Sequence, residues 1–402
     1  GGDHDFIIPP EAGEEVLDTL FAVCSERACS FLLNRKKSSK VKAVLYDNST
    51  RASTVLEFWT CLEVGNDPAV ARRIEWEKIE PYVTSDNDGY FLDISFEALY
   101  YLSHLLTKRK RLDEGSVGRR VEYYRVHEGV EAPVRELYAE LAGSRDIAAV
   151  GRKANELMKL RGILDAGRGM PAGFRKLGKI PRRLGEVFFR KNGVNHIMTV
   201  LGPDGVGKTA VIDGIEENLG DKVSTYRFKN YYRSAILYRL LYPVVKGYIE
   251  RRDNKTYKRN QIEEMFSYQL YLLSVIRYRL NIGRFFTRRI QLTDRYFFDY
   301  ILSGSRLNHG EIRRHPAWRK MLAMVPRTLA VIQVDADNEI IHSRRSEISS
   351  EHMDAFRAEY FFLSMRSRSN FYVYLHNGGP IQDTIDTIMT IIKRMKIVEL
   401  RK

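Results

Sequence analysis

The sequence predicts an α/β protein with two parts, a carboxy-terminal part built on a parallel sheet between helices and a smaller amino-terminal α/β part with a helical extension. From about residue 194, short apolar runs of strand length alternate with segments of helical periodicity, which is typical of a parallel sheet with helices on both faces. Before that point, short strands between turns give way to helical spacing after about residue 96. A chain of 402 residues is long enough for two domains with separate cores.

In the amino-terminal part, residues 1–164, apolar spacing predicts a helix from Glu14 to about Leu33 and further helices between Phe96 and about Leu160. Residues 165–193 contain glycines, two prolines and many basic residues, so we predict a basic interdomain linker there. The predicted strands of this part are Phe6–Ile8, Val41–Tyr46, Val55–Trp59 and Tyr90–Ile94.

The carboxy-terminal part, residues 194–402, has helical segments at Ala210 to about Leu219 and at Ile381–Ile397. A parallel sheet of this kind binds ligands beyond the carboxyl ends of its strands. The predicted strands are Ile197–Leu201, Ser224–Phe228, Ile290–Thr293, Leu329–Val334 and Phe371–Leu375.

A glycine-rich motif, GPDGVGKT, occupies residues 202–209, directly after the first of these strands. Its glycines let the backbone turn so that successive N–H groups point at one phosphate. Lys208 adds a positive charge for the outer phosphates, and Thr209 offers a hydroxyl to Mg²⁺. The helix that follows directs its positive end at the same anion. We therefore predict a nucleoside triphosphate site at Gly202, Asp204, Gly205, Val206, Gly207, Lys208, Thr209 and Ala210.

The segment DRYFFD, residues 294–299, follows another predicted strand. Asp294 at the strand end would hold a Mg²⁺-bound water or the acceptor, and Arg295 would bind an anionic oxygen with two hydrogen bonds. Asp299 completes the predicted acceptor side. The alternative is an exposed Asp–Arg pair without a functional role.

A third motif, Val334 to Glu347, begins as a strand and continues into a helix that contains Arg344 and Arg345. In a mobile segment, these arginines would close over the triphosphate and neutralise the charge that develops on a transferring phosphoryl group. The alternative is a solvated charged helix.

The net charge is +14 with an isoelectric point near 9.5, and basic residues concentrate at 175–191, 251–259 and 277–289. One interpretation is a solvated surface together with a phosphate-handling cleft. The other is an anionic partner, which could be a polyphosphate, a nucleic acid or lipid headgroups. Tyrosines lie between basic residues in Tyr226–Arg233, a pattern that suits base or sugar stacking as well as an ordinary core.

Three features bear on location. No apolar run reaches membrane-spanning length, and the polar, acidic start of the chain does not resemble a secretory signal. Cys24, Cys29 and Cys61 lack metal-ligand spacing and suit a reducing compartment. We therefore expect a cytoplasmic protein, with additional contact between its basic, aromatic segments and the inner membrane surface.

The order of these motifs resembles the thymidylate kinase family over about residues 196–400. That family has the glycine-rich loop, an Asp-Arg-Tyr motif and an arginine-rich lid after a strand. The resemblance implies a kinase that binds ATP and Mg²⁺ at Lys208 and Thr209. It also implies an acceptor-phosphate and metal site at Asp294 and Arg295, a lid arginine at Arg344 or Arg345, and a helical arginine that faces the acceptor at Arg277.

One segment departs from the family pattern. Where thymidylate kinases carry Arg-Glu-Pro-Gly-Gly-Thr after the second strand, this chain has Tyr226–Arg233, and the stretch from Ser234 to Arg289 is long and basic. Such chains resemble kinase-like proteins associated with bacterial surface-polysaccharide synthesis. This implies a saccharide or saccharide-linked acceptor. Alternatives are a nucleoside monophosphate acceptor, a nucleic-acid-directed kinase, and a nucleotide-gated binding module.

The first residues, GGDHD, resemble the signature of the nucleotidyltransferase superfamily. Asp3 and Asp5 on one strand point the same way, so they would share a divalent cation, and Glu57 is the candidate third carboxylate. The alternatives are an active nucleotidyltransferase, a degenerate substrate-binding or scaffold domain, and coincidence. We expect a domain that serves the kinase. The sequence indicates no oligomeric state.

Overall fold

The computed structural model describes residues 3–37, 40–48, 50, 52–64, 73–86, 89–108, 115–165, 197–227, 236–259, 262, 267–280, 289–298, 318–326, 328–344, 350–367 and 369–394. Asp299, Arg345 and nearly all of the predicted linker lie outside these ranges, as does the side chain of Asp3.

The strands of the described part are β1 (Asp3–Ile7), β2 (Ser30–Lys37), β3 (Lys40–Tyr46), β4 (Ser53–Trp59), β5 (Cys61–Glu63), β6 (Arg73–Glu75), β7 (Val83–Asp86), β8 (Gly89–Leu92), β9 (Ile197–Leu201), β10 (Val223–Arg227), β11 (Ile290–Asp294), β12 (Ala330–Asp335) and β13 (Phe371–His376).

The helices are α1 (Gly13–Glu26), α2 (Trp76–Ile79), α3 (Ile94–Lys108), α4 (Gly115–Val126), α5 (Ala132–Ser144), α6 (Ile147–Leu160), α7 (Lys208–Leu219), α8 (Ile236–Asp253), α9 (Ser267–Leu280), α10 (Trp318–Met324), α11 (Asn338–Arg344), α12 (Ser350–Arg366) and α13 (Ile381–Arg394). None of them, within the described ranges, combines the length and the apolar character that crossing a membrane requires.

A nine-stranded sheet organises the molecule, in the order β1-β4-β3-β2-β13-β12-β9-β11-β10. The five strands from β13 to β10 are parallel, and helices pack on the sheet, so the predicted α/β class is confirmed. In the carboxy-terminal part, the bounds of the predicted strands agree with those of β9 to β13 to within one residue. The short pairs β5–β6 and β7–β8 lie outside the large sheet.

Strands β1 to β4 of the amino-terminal part continue the same sheet, because β2 pairs antiparallel with β13. The two strands share a core as well, because the rings of Phe31 and Tyr374 stack with centroids 5.4 Å apart. The helices beside them also pack together: Phe21 of α1 stacks on Phe361 of α12 with centroids 4.2 Å apart. No local sequence pattern predicts the pairing of β2 with β13. Domain boundaries at residues 164 and 194 stay predictions.

The helix predicted from Glu14 to about Leu33 is wrong in its second half. Helix α1 ends at Glu26, the backbone turns at Ala28 with φ of 53°, and β2 begins at Ser30. The run Phe31–Leu33 is buried in the structure because β2 lies inside the sheet. A strand buried on both faces has the same continuous apolar run as a buried helix, so periodicity cannot distinguish them.

Helices α3 to α6 form the predicted helical extension and share a core with β5, β6 and α2, which includes Leu99, Leu102, Tyr138 and Val150. The hydroxyl of Tyr138 donates to the carbonyl oxygen of Ala98 at 2.7 Å, which connects α5 to α3 inside this core. Periodicity predicted these helices correctly because each has one buried face.

Candidate functional site

The glycine-rich loop lies at the centre of the sheet. It follows β9, which pairs with β11 on one side and β12 on the other. The chain passes from β9 to β10 and β11 on one side and later crosses to β12 and β13 on the other side. The strand order of the parallel sheet therefore reverses at β9. Parallel sheets bind ligands at such a point, beyond the carboxyl ends of the strands.

Glycine is required at two positions of the loop. Gly202, Gly205 and Gly207 have φ values of 140°, 98° and 92°, all in the region that side chains disfavour. A Cβ atom at Gly202 would lie 2.1 Å from the carbonyl oxygen of Val334, and one at Gly207 would lie 2.6 Å from Nδ2 of Asn377. The loop is therefore packed tightly against β12 and the segment after β13.

Lys208 is the buried cation of the loop, with 9% of its surface exposed. Its Nζ donates to the carbonyl oxygens of Gly202 at 2.8 Å and Pro203 at 2.7 Å, and it lies 3.2 Å from Oδ1 of Asp204. A buried ammonium is tolerated only when it is paired in this way. The loop amides, this ammonium and the start of α7 form a donor set that fits a chain of phosphates, and Thr209 is exposed in the first turn of α7.

Arg295 lies beside the loop, after the end of β11. Its Nη2 donates to Oδ1 of Asp204 at 2.9 Å, so one carboxylate is shared by Lys208 and Arg295. The backbone of Arg295 has φ of 70°, in the left-handed region, and its N–H donates to the carbonyl oxygen of Val200 at 3.1 Å. Such strain in a non-glycine residue occurs most often at functional sites. Asp294 is half-buried at the strand end, opposite Val200 in the sheet register.

The aromatic residues of the DRYFFD segment are core residues. Tyr296, Phe297 and Phe298 are fully buried, and the hydroxyl of Tyr296 donates to the carbonyl oxygen of Pro326 at 3.1 Å. Phe297 makes an edge contact with Tyr278 of α9, at a centroid distance of 5.5 Å. Helix α9, which contains Arg277, therefore packs against the segment that follows Arg295.

Arg344, at the end of α11, reaches the loop from the other side. Its Nη1 donates to the carbonyl oxygen of Gly205 at 3.3 Å, and the residue is exposed. The lid role that the sequence suggests for Arg344 stays a prediction.

Asp335 and Arg357 form a buried ion pair that the sequence analysis does not identify. Oδ1 of Asp335 accepts from Nε of Arg357 at 2.6 Å, and Oδ2 accepts from the hydroxyl of Tyr374 at 3.0 Å. Burial and the Asp335 charge raise the pKa of Tyr374. Burial alone would lower the pKa of Arg357, but Asp335 outweighs it and the pKa is raised. The pair connects α12 to the end of β12, next to the loop.

Asn377 is a second residue that sequence reasoning missed. It is buried after β13, and its Nδ2 donates to the carbonyl oxygen of Val206 in the loop at 2.8 Å. Its Oδ1 accepts from the hydroxyl of Thr384 at 2.8 Å, and its N–H donates to the carbonyl oxygen of Asp335 at 2.6 Å. No local sequence pattern predicts the contact of Asn377 with Val206, because the two residues are 171 positions apart in the chain.

The predicted amino-terminal carboxylates have other partners. Glu57 accepts hydrogen bonds from Lys40 and, at 2.9 Å, from Lys42. Burial alone would raise the pKa of Glu57, but these bonds outweigh it and lower the pKa to about 2. Oδ1 of Asp5 accepts from Nε1 of Trp59 at 3.2 Å, and burial, together with Glu57, raises the pKa of Asp5.

A shared metal at these carboxylates stays a prediction. Among the residues the structure describes, no group of three or more His, Cys, Asp or Glu side chains is arranged to hold a metal ion. The ammonium groups of Lys40 and Lys42 on β3 already neutralise Glu57 on β4. These ion pairs are therefore better suited to holding β3 and β4 together than to binding a cation.

The sequence matches no protein-family model and no curated protein. Among solved structures, the chain is similar to a thymidylate kinase from Candida albicans, with 16% identity over 50% of this chain and 92% of that one and a TM-score of 0.32. A thymidylate kinase from Ehrlichia chaffeensis is 13% identical over 50% of this chain and 98% of that one, with a TM-score of 0.30. An unliganded sugar kinase from a Janibacter species is 13% identical over 49% of this chain and 94% of that one, with a TM-score of 0.24.

Proposed function

We propose that this chain is a phosphotransferase that uses ATP and Mg²⁺ and transfers the γ-phosphate to a saccharide or saccharide-linked acceptor. The observation that supports phosphotransfer most strongly is the loop between β9 and α7, with three glycines in the left-handed region and a buried lysine. A loop of this conformation at the sheet's switch point is built to bind phosphates.

The chain's own residues divide the work in this proposal. The loop amides and Lys208 bind the outer phosphates of ATP, while Thr209 and Asp294 are the groups that would hold Mg²⁺, whose charge neutralises the phosphate oxygens. Arg295 and Arg344 lie on the two sides of the loop and neutralise negative charge on the transferring group. Arg295 and Arg277 bind the acceptor side.

The acceptor proposal is supported by the sequence after β10. The segment Tyr226–Arg233 replaces the segment that shapes the acceptor side of thymidylate kinases, while the loop is kept. A nucleoside monophosphate is the second candidate, favoured by the position of Arg295 beside the loop.

The experiment is a transfer assay with γ-labelled ATP and a panel of sugars, saccharide-linked lipids, nucleoside monophosphates and oligonucleotides. Label on a saccharide supports the proposal, and robust turnover of thymidylate contradicts the proposed acceptor. Label that reaches only water would identify a nucleotide-gated binding module instead.

For the amino-terminal part we propose a supporting role rather than separate chemistry. The pairing of β2 with β13 and the neutralisation of Glu57 by two lysines support this role. The full chain should therefore transfer no nucleotidyl group, and Asp3→Asn with Asp5→Asn should leave its ATP affinity intact. Nucleotidyl transfer by the wild-type chain that the double variant abolishes would contradict the proposal.

A further inference from the structure

Helix α8 has an apolar face that points into solvent. Leu240, Leu241, Val244 and Tyr248 are 65%, 50%, 68% and 66% exposed. At 3.6 residues per turn, these four positions fall within an arc of about 100° on one side of the helix. Large apolar side chains that are grouped on one face and exposed to this degree mark an interaction surface.

The opposite face of α8 attaches the helix to the protein. Tyr238 and Ile249 are buried, and the ring of Tyr242 stacks on that of Tyr238 at a centroid distance of 5.4 Å. These rings pack against Leu270 and Leu273 of α9. Since the helix is anchored by this side, its apolar face has a fixed direction.

The charge around the apolar face is strongly positive. Residues 236–259 contain seven Lys and Arg but only two Asp and Glu. Arg239 is exposed near the start of the face, and Arg251 and Arg252 are exposed at its end. Arg251 falls inside the apolar arc at helical spacing, which places a cation beside Val244 and Tyr248.

We propose that the α8 face, defined by Leu240, Leu241, Val244 and Tyr248 with the basic residues around it, docks on an anionic lipid surface. The apolar side chains enter the boundary between headgroups and acyl chains, and the arginines contact lipid phosphates. The positive charge around the α8 face favours a lipid surface over a second copy of this chain. A second copy would bring the same positive groups to the contact, whereas anionic headgroups neutralise them. The proposal does not depend on phosphotransfer.

The test is flotation of the full chain with vesicles of phosphatidylcholine alone or mixed with phosphatidylglycerol, at low and high salt. The wild-type chain should bind the mixed vesicles about tenfold more tightly than the neutral ones, and salt should weaken this binding because it screens the exposed arginines. Arg251→Gln with Arg252→Gln should reduce the preference for the anionic vesicles.

The apolar part of the face is tested with Leu240→Glu combined with Val244→Glu, which should abolish binding. Leu160→Glu is the matched control, because Leu160 is an 85% exposed leucine on α6, and this variant should bind as the wild-type chain does. Circular dichroism confirms that each variant is folded.

Two results would overturn the proposal. One is vesicle binding that is absent, equal for the two lipid mixtures, or unchanged by the double glutamate variant. The other is a dimer of the wild-type chain in light scattering that this variant converts to a monomer, since the face would then be occupied by a second copy. Either result would leave the proposal of phosphotransfer standing.

Discussion

The side-chain amide of Asn377 donates a hydrogen bond of 2.8 Å to the carbonyl oxygen of Val206, inside the glycine-rich loop. Thr384 fixes the orientation of that amide, because its hydroxyl donates to Oδ1 of Asn377. The backbone beside it also meets the amino-terminal strands, since the N–H of His376 donates to the hydroxyl oxygen of Ser30 at 3.1 Å. The end of β13 and the residue that follows it thus connect the loop to the amino-terminal strands.

Asn377→Ala should raise the KM for ATP about tenfold, because it leaves the buried carbonyl of Val206 without its donor, a loss of about 1–3 kcal/mol. Asn218→Ala is the matched control, since the Asn218 amide donates to the carbonyl oxygen of Gly214 on α7 at the same distance of 2.8 Å. Steady-state kinetics with thermal unfolding checks this. An unchanged KM for ATP in Asn377→Ala, with lower stability, would show a purely structural role.

Arg357→Met should lower the free energy of unfolding by about 3–5 kcal/mol, because it leaves the buried carboxylate of Asp335 without its cation. Adding Asp335→Asn should recover part of this loss, since the unpaired charge is then removed. Arg125→Ala breaks an exposed pair with Glu122 and should change stability little. Urea denaturation measures all variants. Equal losses for Arg357→Met and Arg125→Ala would contradict the account.

Glu57 should make the stability depend on pH. The pKa of Glu57 is lowered in the folded chain from 4.5 to about 2, so its ion pairs with Lys40 and Lys42 stabilise the fold fully above 4.5. That stabilisation is lost as the pH falls from 4.5 toward 2. Glu57→Gln should therefore be less stable than the wild-type chain at neutral pH, and the difference should shrink at acid pH. Chemical denaturation across this range checks it, and a difference independent of pH would refute it.

Arg344→Ala should lower kcat by about 100-fold or more while changing the KM for ATP less, because a guanidinium next to the loop acts on charge that develops during transfer. Arg344→Lys should retain part of the rate, since it keeps the charge without the planar donor set. Arg152→Ala, at an exposed position on α6, is the control. If kcat is unchanged in Arg344→Ala, the contact with Gly205 has no part in catalysis.

The sequence predicts the residues of the glycine-rich loop better than the distant residues that support the loop. The strand, the glycine-rich loop and α7 are contiguous, so spacing alone predicts Gly202, Gly207 and Lys208 in their correct structural setting. The contacts of Asn377 and Arg357 join residues that are far apart in the chain, and no local pattern encodes them.

The same reason applies to the sheet. The pairing of β2 with β13 joins the first forty residues to the last forty, and a local period cannot reveal it. It also explains the wrong second half of the helix predicted from Glu14: Phe31 and Leu33 are buried because β2 is an internal strand, and that burial depends on β13. Long-range pairing therefore decides an assignment that looks local.

The most direct measurement is transfer of label from γ-labelled ATP by the wild-type chain, Lys208→Ala and Lys222→Ala. Lys208 is the buried cation of the loop, while Lys222 is an exposed lysine after α7, so the two variants remove the same group from different settings. We predict that Lys208→Ala transfers the label about 100-fold more slowly than the wild-type chain, or slower still, and that Lys222→Ala keeps the wild-type rate. Undiminished ATP turnover by Lys208→Ala would contradict the proposal that this loop is the site of phosphotransfer.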